Sequence, residues 1–376
     1  MTRDGWNQTT LGEVAQLVTA KSKPDAESPY IALEHINGDG ANSINGCGKG
    51  SDYKSSSVKF ETGDILFSKL RPYLNKVWQA EFDGFATGEA LVYRANLERV
   101  TQDFLYLVLR SQDTIKYAND RSIGTRMPRI APAIMADFPI TVPPLDEQPE
   151  IVRFMQALDA VIQSSERASS LLVRVREDIL EVLLRQAQEK NNSVRLGNVA
   201  TAYQPKTISK ANMIPDGKYP VFGANGIIGR YDDYNHEESQ IAITCRGATC
   251  GTVNVTEPYS WITGNAMVVR STDSALSNEF LKLFFERLDM RSIITGSAQP
   301  QITKGNIQSV EIPLPPLEEQ EKIVEKMQAL DAYLESAKRS QEALKQVRKD
   351  ALHALLSGDK DVRELAEMFA IDEDVA

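Results

Sequence analysis

Residues 143–160, PPLDEQPEIVRFMQALDA, match residues 315–332, PPLEEQEKIVEKMQALDA, at 13 of 18 positions, always 172 residues apart. A repeat of this kind commits the chain to two units built on one plan, because each copy carries the same pattern of apolar positions and must bury it in the same way. Fainter echoes extend the duplication upstream. LGEVA from Leu11 matches LGNVA from Leu196, TGEALVYR from Thr87 matches TGNAMVVR from Thr263, and GTRMPRI from Gly124 parallels GSAQPQI from Gly296. The offset falls from 185 through 176 to 172, so the second copy is 13 residues shorter. Loops such as the Gly/Ser/Asn-rich stretch from Asn37 to Ser57 are the expected place for that loss.

Each copy closes on a long helix. Pro143 and Pro144, or Pro315 and Pro316, precede an acidic residue suited to cap a first turn and to face its dipole. Apolar residues then recur at three- and four-residue spacing: Ile151, Met155, Leu158, Ile162, then Leu172, Val175, Ile179 and Leu183, with Ser165 in the same register. The second copy repeats the pattern at Ile323, Met327, Leu330, Leu334, Ala337, Leu344, Val347, Ala351 and Leu355. Such a seam demands a partner along its whole length. Roughly 44 residues at ~1.5 Å each give about 66 Å, longer than a small domain is wide. Two helices packed antiparallel against each other satisfy both copies, with pseudo-twofold symmetry; the alternative is two separate helices, each folded onto its own block.

The blocks between the helices read as mixed α/β structure. DILFSKL from Asp64, ALVYR from Ala90, QIAITC from Gln240 and AMVVR from Ala266 have the character of strands, while FLYLVLR from Phe104 and FLKLFFERL from Phe280 read as short amphipathic helices. The expected fold is two similar domains of mixed β-sheet and short helices, joined by two long antiparallel coiled-coil helices. The expected boundaries are 1–142 and 191–314 for the blocks, 143–190 and 315–358 for the helices, and 359–376 for an acidic tail.

Composition narrows the function classes. The chain is 42% apolar and 25% charged, as soluble domains are, and no apolar run approaches the about 18 residues of a membrane span. The start, MTRDGWNQTT, lacks the apolar stretch of a signal peptide, and three cysteines, Cys47, Cys245 and Cys250, do not make a disulfide framework. A cytoplasmic protein is expected. The net charge of −10 argues against nucleic acid, which needs Lys and Arg. Yet residues 1–142 hold 16 basic and 17 acidic side chains and residues 191–314 hold 11 of each, so the acidity lies mostly in the helices and the tail.

Motifs for chemistry are sparse. No GxxxxGK[ST] loop occurs, and GANGIIG from Gly223 has the wrong spacing for GxGxxG and reads as a turn between strands. Cys245 and Cys250 lack a second Cys or His pair, so no metal site is expected and packed thiols are. His35, His236 and His353 sit beside no recognisable nucleophile pattern. Several positions suit DNA. SKLRP places Lys69 and Arg71 at the end of an apolar strand, where two-residue alternation sends both to one face. GTRMPRI offers Arg126 and Arg129 in a Gly/Pro loop, and the matching loop of the second copy carries Gln299 and Gln301 with Lys304 close behind. Arg246 corresponds to Lys69 or Leu70. Arg matches guanine edges and Gln matches adenine edges, so the two loops would read different bases.

Taken together, YIALEHIN, GDILFSKLRPYLNKV, GTRMPRI, PPLDEQ, YPVFGANGIIG, the QPQI loop and IPLPPLEEQ, in this order and duplicated, resemble the specificity subunits of type I restriction-modification systems across essentially the whole chain. The resemblance implies two target-recognition domains, each reading one half of a bipartite, asymmetric double-stranded DNA site. It also implies helices that set the spacing and dock two methyltransferase subunits, which use S-adenosylmethionine to methylate adenine. Restriction subunits driven by ATP and Mg join them. The seam residues Ile151, Met155, Leu158 and Ile162, with Ile323, Met327, Leu330 and Leu334, are the expected helix-packing positions. This chain carries no NPPY or DPPY motif and no helicase motif, so a recognition-only, non-catalytic subunit that binds no cofactor itself is expected. A methyltransferase in its own right, or a scaffold that binds only proteins, are the competing readings. The acidic tail is not part of the resemblance.

Overall fold

The computed structural model describes every residue except 1, 2, 4, 39–41, 54, 224, 297, 298 and 370–376. The chain divides into two compact units, one made of residues 1–166 and 339–376, the other of residues 167–338.

The first unit centres on a four-stranded antiparallel sheet in the order Ala15–Val18, Ala90–Ala95, Ile65–Ser68, Val77–Gln79. Ile65–Ser68 is buried at every residue, because both faces of the sheet are covered. Ile65 and Phe67 join a core with the helix Gln102–Arg110, through Phe104, Leu105 and Val108. Leu66 points the opposite way, as strand alternation requires, into a second core with Phe60 and Trp78. That second core lies against a five-stranded sheet in which Pro29–Ile31 pairs parallel with Gly84–Ala86. Asn7–Thr10 and Pro139–Val142 form a separate two-stranded ribbon at the start and end of the domain.

The second unit repeats this plan. Its four strands run Ala200–Tyr203, Ala266–Ser271, Ile241–Thr244, Val253–Val255, and the ribbon recurs as Ser193–Arg195 with Glu311–Pro313. The parallel pair recurs as Val221 and Phe222 with Trp261 and Ile262. Equivalent strands show where the copies differ in length. The offset is 191 between Ile31 and Phe222 and 176 between Ile65 and Ile241, so the shortening falls between those strands, across the Asn37–Ser57 stretch. There the first unit reaches its edge strand Gly48–Lys49, antiparallel to Pro29–Ile31, only after a long connection, whereas the second pairs Tyr219–Gly223 directly with Gly226–Tyr231. Within GANGIIG, Gly223 ends the strand Tyr219–Gly223 and Gly226, with a φ of 115°, opens its antiparallel partner Gly226–Tyr231, while Ala224 lies outside the described residues.

The two long helices are Gln148–Lys190 and Leu317–Ser357, and their halves are shared between the units. Within the first unit, Asp159 pairs with Arg348 and Glu166 with Lys345, so numbers rise on one helix as they fall on the other and the pairing is antiparallel. Within the second, Arg176 pairs with Asp331, and Leu180 and Leu184 share a core with Ile323 and Met327. Ile151, Met155, Leu158 and Ile162 are buried, as are Ile323, Met327 and Leu334, while Leu330 is half-buried. The seam is not continuous, contrary to the sequence expectation. Val175 is 46% exposed, and toward the end of the first helix the burial moves to Leu180, Leu184 and Ala187, leaving Ile179 and Leu183 half-buried. A straight helix of 3.6 residues per turn drifts from a strict heptad, and packing onto the sheet domain takes over from packing onto the partner helix.

The segment set apart as an acidic tail has structure of its own. Val362–Phe369 is helical, and Val362, Leu365 and Ala366 enter the main core of the first unit, while residues 370–376 lie outside the described part. Among the described residues, no helix is long and apolar enough to cross a membrane.

Candidate nucleic-acid interface

In the first unit the structure joins the two basic segments. The strand Ile65–Ser68 ends one residue before Lys69, and Leu70 bridges antiparallel to Arg129. The Ile130 amide donates to the Lys69 carbonyl at 3.0 Å, and the Arg71 amide donates to the Pro128 carbonyl at 2.7 Å. GTRMPRI is itself a tight hairpin closed by reciprocal Ile123–Arg129 bonds of 2.9 and 3.0 Å. Its first residue, Gly124, has a φ of 106°, and a Cβ there would meet the Met127 carbonyl oxygen at 3.2 Å, so glycine suits the turn on both counts.

This geometry revises the reading of Lys69 and Arg71. Arg71 adopts a left-handed conformation, φ 51° and ψ 62°, beyond the end of the strand, so period-two alternation does not align it with Lys69. Both are half-buried. The Arg71 guanidinium turns back to donate to the Arg126 carbonyl at 3.4 Å, which leaves the side chains of Arg126 and Arg129 as the exposed cations of the hairpin. Arg129 is engaged by Glu89, with Nε donating at 3.0 Å and a second guanidinium nitrogen at 3.4 Å. Glu89 was not singled out from the sequence, because an isolated acidic residue carries no pattern.

The second unit reproduces the same framework with other side chains. Arg246 bridges Gln301, the Ile302 amide donates to the Cys245 carbonyl at 3.0 Å, and the Gly247 amide donates to the Pro300 carbonyl at 3.2 Å. Thr295 and Gln301 close the hairpin with reciprocal bonds of 2.9 Å, and Gly296 again has positive φ, at 85°. Arg246 therefore corresponds to Leu70, and Gln301 to Arg129. Arg246, Gln299, Gln301 and Lys304 are all exposed, Lys304 opening the short helix Lys304–Gln308. Cys245 is buried in the core and Cys250 half-buried. Among the described residues, no cluster of three or more His, Cys, Asp or Glu side chains could hold a metal ion.

Two features hold these domains on the helices, and the first is buried. Gln148, the last residue of PPLDEQ, accepts from the Thr101 amide at 2.7 Å and donates to the carbonyls of Arg99 and Pro143 at 3.1 and 3.0 Å. Gln320 of PPLEEQ accepts from the Ser277 amide at 2.9 Å and donates to the carbonyls of Ala275 and Pro315 at 2.7 and 2.8 Å. Each ties the first turn of a long helix to the cap of the short helix that follows the central sheet. The second feature is ionic. Asp159 takes Arg348 and, at 3.3 Å, Arg110; Asp331 takes Arg176, whose guanidinium also donates to Glu286 at 3.0 Å. Asp159 and Asp331, like Arg176 and Arg348, lie 172 residues apart, a signal legible in the repeat.

The chain matches the family described as Type I restriction modification DNA specificity domain over residues 3–172 and again over residues 188–346. It is 23% identical over 410 aligned positions to the putative type I restriction enzyme MjaX specificity subunit of Methanocaldococcus jannaschii, covering 94% of this chain and 93% of that protein. It is 29% identical over 184 residues to the type I restriction enzyme EcoDI specificity subunit of Escherichia coli, covering 46% of this chain and 39% of that one. The fold is similar to a chain solved in a study of assembly and conformational transition of the type I R-M system, with a TM-score of 0.70, 22% identity, and coverage of 96% of this chain and 100% of that chain. It is also similar to the HsdS subunit from Thermoanaerobacter tengcongensis, with a TM-score of 0.54, 21% identity, and coverage of 96% and 98%.

Proposed function

The chain belongs to the type I restriction modification DNA specificity family, and on that premise we propose that its two domains each read one half of a bipartite, asymmetric site on double-stranded DNA. The observation that supports this most directly is the duplicated strand-end and hairpin framework. One backbone geometry presents Arg126 and Arg129 in the first domain and Gln299 and Gln301 in the second. A rigid loop held on a sheet is a suitable place for base contacts, and Arg and Gln favour guanine and adenine edges respectively. The scaffold is constant and the reading groups vary.

On this reading the chain performs no chemistry. It acts as the specificity subunit of a complex in which two methyltransferase subunits use S-adenosylmethionine, and restriction subunits use ATP and Mg, while this chain binds no cofactor of its own and works in the cytoplasm. The reading blocks are residues 1–142 and 191–314, carried on spacer helices 143–190 and 315–358. Near-neutral domains supply few phosphate contacts, so the isolated chain binds DNA weakly and the partners complete the grip.

Replacing residues 191–314 with the corresponding block of a relative tests the proposal, read out by methylation-motif sequencing of cells that carry the assembled enzyme. One half of the recognised site changes and the other persists. A change in both halves, or in neither, overturns the assignment.

A further inference from the structure

The ion clusters on the helix pairs share a framework and differ in one residue. Arg110 and Glu286 occupy equivalent positions, the ends of FLYLVLR and FLKLFFE, 176 residues apart as are the strands before them. In the second unit, one guanidinium, Arg176, serves two carboxylates whose side chains are 34% and 47% exposed, so water screens the surplus negative charge. In the first unit, two guanidiniums converge on the single carboxylate of Asp159. Arg110 is 9% exposed, Arg348 12% and Asp159 27%, so the surplus charge is positive and largely out of water. A buried charge without a counter-charge is costly, because the water it gives up is not replaced.

Other unmet needs lie at the same place. The Nε of Arg110 is buried with no hydrogen-bond partner, and so is the side-chain carbonyl oxygen of Asn75, whose amide nitrogen donates to the Arg110 backbone carbonyl at 3.0 Å. Burial also holds the Arg110 guanidinium below its ordinary value. All three side chains, Arg110, Arg348 and Asn75, line a cleft of about 920 Å3 within the first unit. The other basic side chains around it are committed or exposed: Lys345 pairs with Glu166 and Glu342, the His353 ring hydrogen-bonds the Asp113 carboxylate, and Lys349 is exposed at the rim.

We propose that this cleft is an oxyanion site, centred on Arg110 and Arg348, that takes hydrogen phosphate. The ion supplies the missing negative charge to the guanidiniums, and its P–OH group supplies the donor that the Asn75 carbonyl lacks, which a carboxylate does not offer. Because the unpartnered atoms are buried, binding proceeds with a rotamer adjustment of the Arg110 side chain. The ion strengthens the seat of the first domain on the paired helices, and the second unit, completed by Glu286, has no such site.

The test is a titration of the full chain with sodium phosphate at constant ionic strength, with chloride as the balancing ion, followed by thermal unfolding and by 31P line broadening. Wild type shows saturable stabilisation and broadening. Arg110→Gln weakens the apparent affinity about tenfold or more, the loss expected for one charge-assisted hydrogen bond. Arg110→Glu, which copies the second unit, abolishes it, and Glu286→Gln leaves it unchanged. Arg110→Gln keeps the size and polarity of the site, so it carries the test if the Glu variant does not fold. Stabilisation equal in all variants marks general screening and overturns the proposal, as does an acetate response stronger than that to phosphate.

Discussion

The two domains use the same backbone to solve one problem and diverge at particular side chains placed on it. The hairpins in GTRMPRI and GSAQPQI have matching bridges and matching left-handed glycines, yet one displays arginines and the other glutamines. The ion clusters on the long helices keep the Asp–Arg pair between helices and exchange Arg110 for Glu286. Constancy resides in groups that satisfy the backbone or join the helices. Variation resides in the hairpin side chains and in one member of each ion cluster. A duplicated recognition protein needs this division, since it must hold its domains alike while reading unlike bases.

The sharpest test of the comparison is at the shared aspartates. Asp159→Asn removes the one carboxylate between two buried guanidiniums and costs about 3–5 kcal/mol, whereas Asp331→Asn removes a half-exposed carboxylate and leaves Arg176 its second partner, Glu286, so it costs at most about 1 kcal/mol. Chemical denaturation of both variants measures the asymmetry; equal losses would mean that burial does not distinguish the two clusters.

At the glutamine clamps the copies should behave alike. Gln148→Leu and Gln320→Leu each delete three hydrogen bonds inside the protein and leave carbonyls and an amide unsatisfied, a loss of about 2–4 kcal/mol in either unit. A clamp that proved dispensable in one copy alone would break the shared plan.

Next in size are the hairpin side chains. Arg129→Ala relaxes one half of the site and Gln301→Ala the other, each by about 1–3 kcal/mol of discrimination if the contact is bidentate. Methylation-motif sequencing reports both, and an unchanged motif in either variant removes that residue from readout. The ion pair with Glu89 adds a refinement. Glu89→Gln frees Arg129 and should alter the first half-site while sparing the second.

The smallest effect concerns His236 in the second unit, which shares a 2.9 Å hydrogen bond with the Tyr203 hydroxyl. Burial, and secondarily Arg270, hold its value below the ordinary 6.5. The unfolded imidazole therefore takes up a proton more readily than the folded one. Its contribution to stability is complete above about pH 6.5 and is lost as the pH falls through the lower folded value. Thermal unfolding of His236→Gln across this range should show a shallower acid slope than wild type.

The duplication, the two long helices, the central strands and the short amphipathic helices were all legible in the amino-acid sequence, because apolar periodicity and local chain chemistry are properties of neighbours along the chain. The parallel loops that carry Arg126, Arg129, Gln299 and Gln301 were legible for the same reason. What the tertiary structure alone decided depends on which distant segments meet. It set Arg71 beyond the strand in a left-handed turn, placed Glu89 against Arg129 and matched Arg246 to Leu70. It folded Val362–Phe369 into the first core, although net charge had marked that segment as a tail, because Val362, Leu365 and Ala366 fall on one helical face. It also brought Arg110 to Asp159, 49 residues away, and thereby left one buried cluster a charge out of balance. Charge counts along a sequence register no burial, and burial decides whether such an imbalance matters.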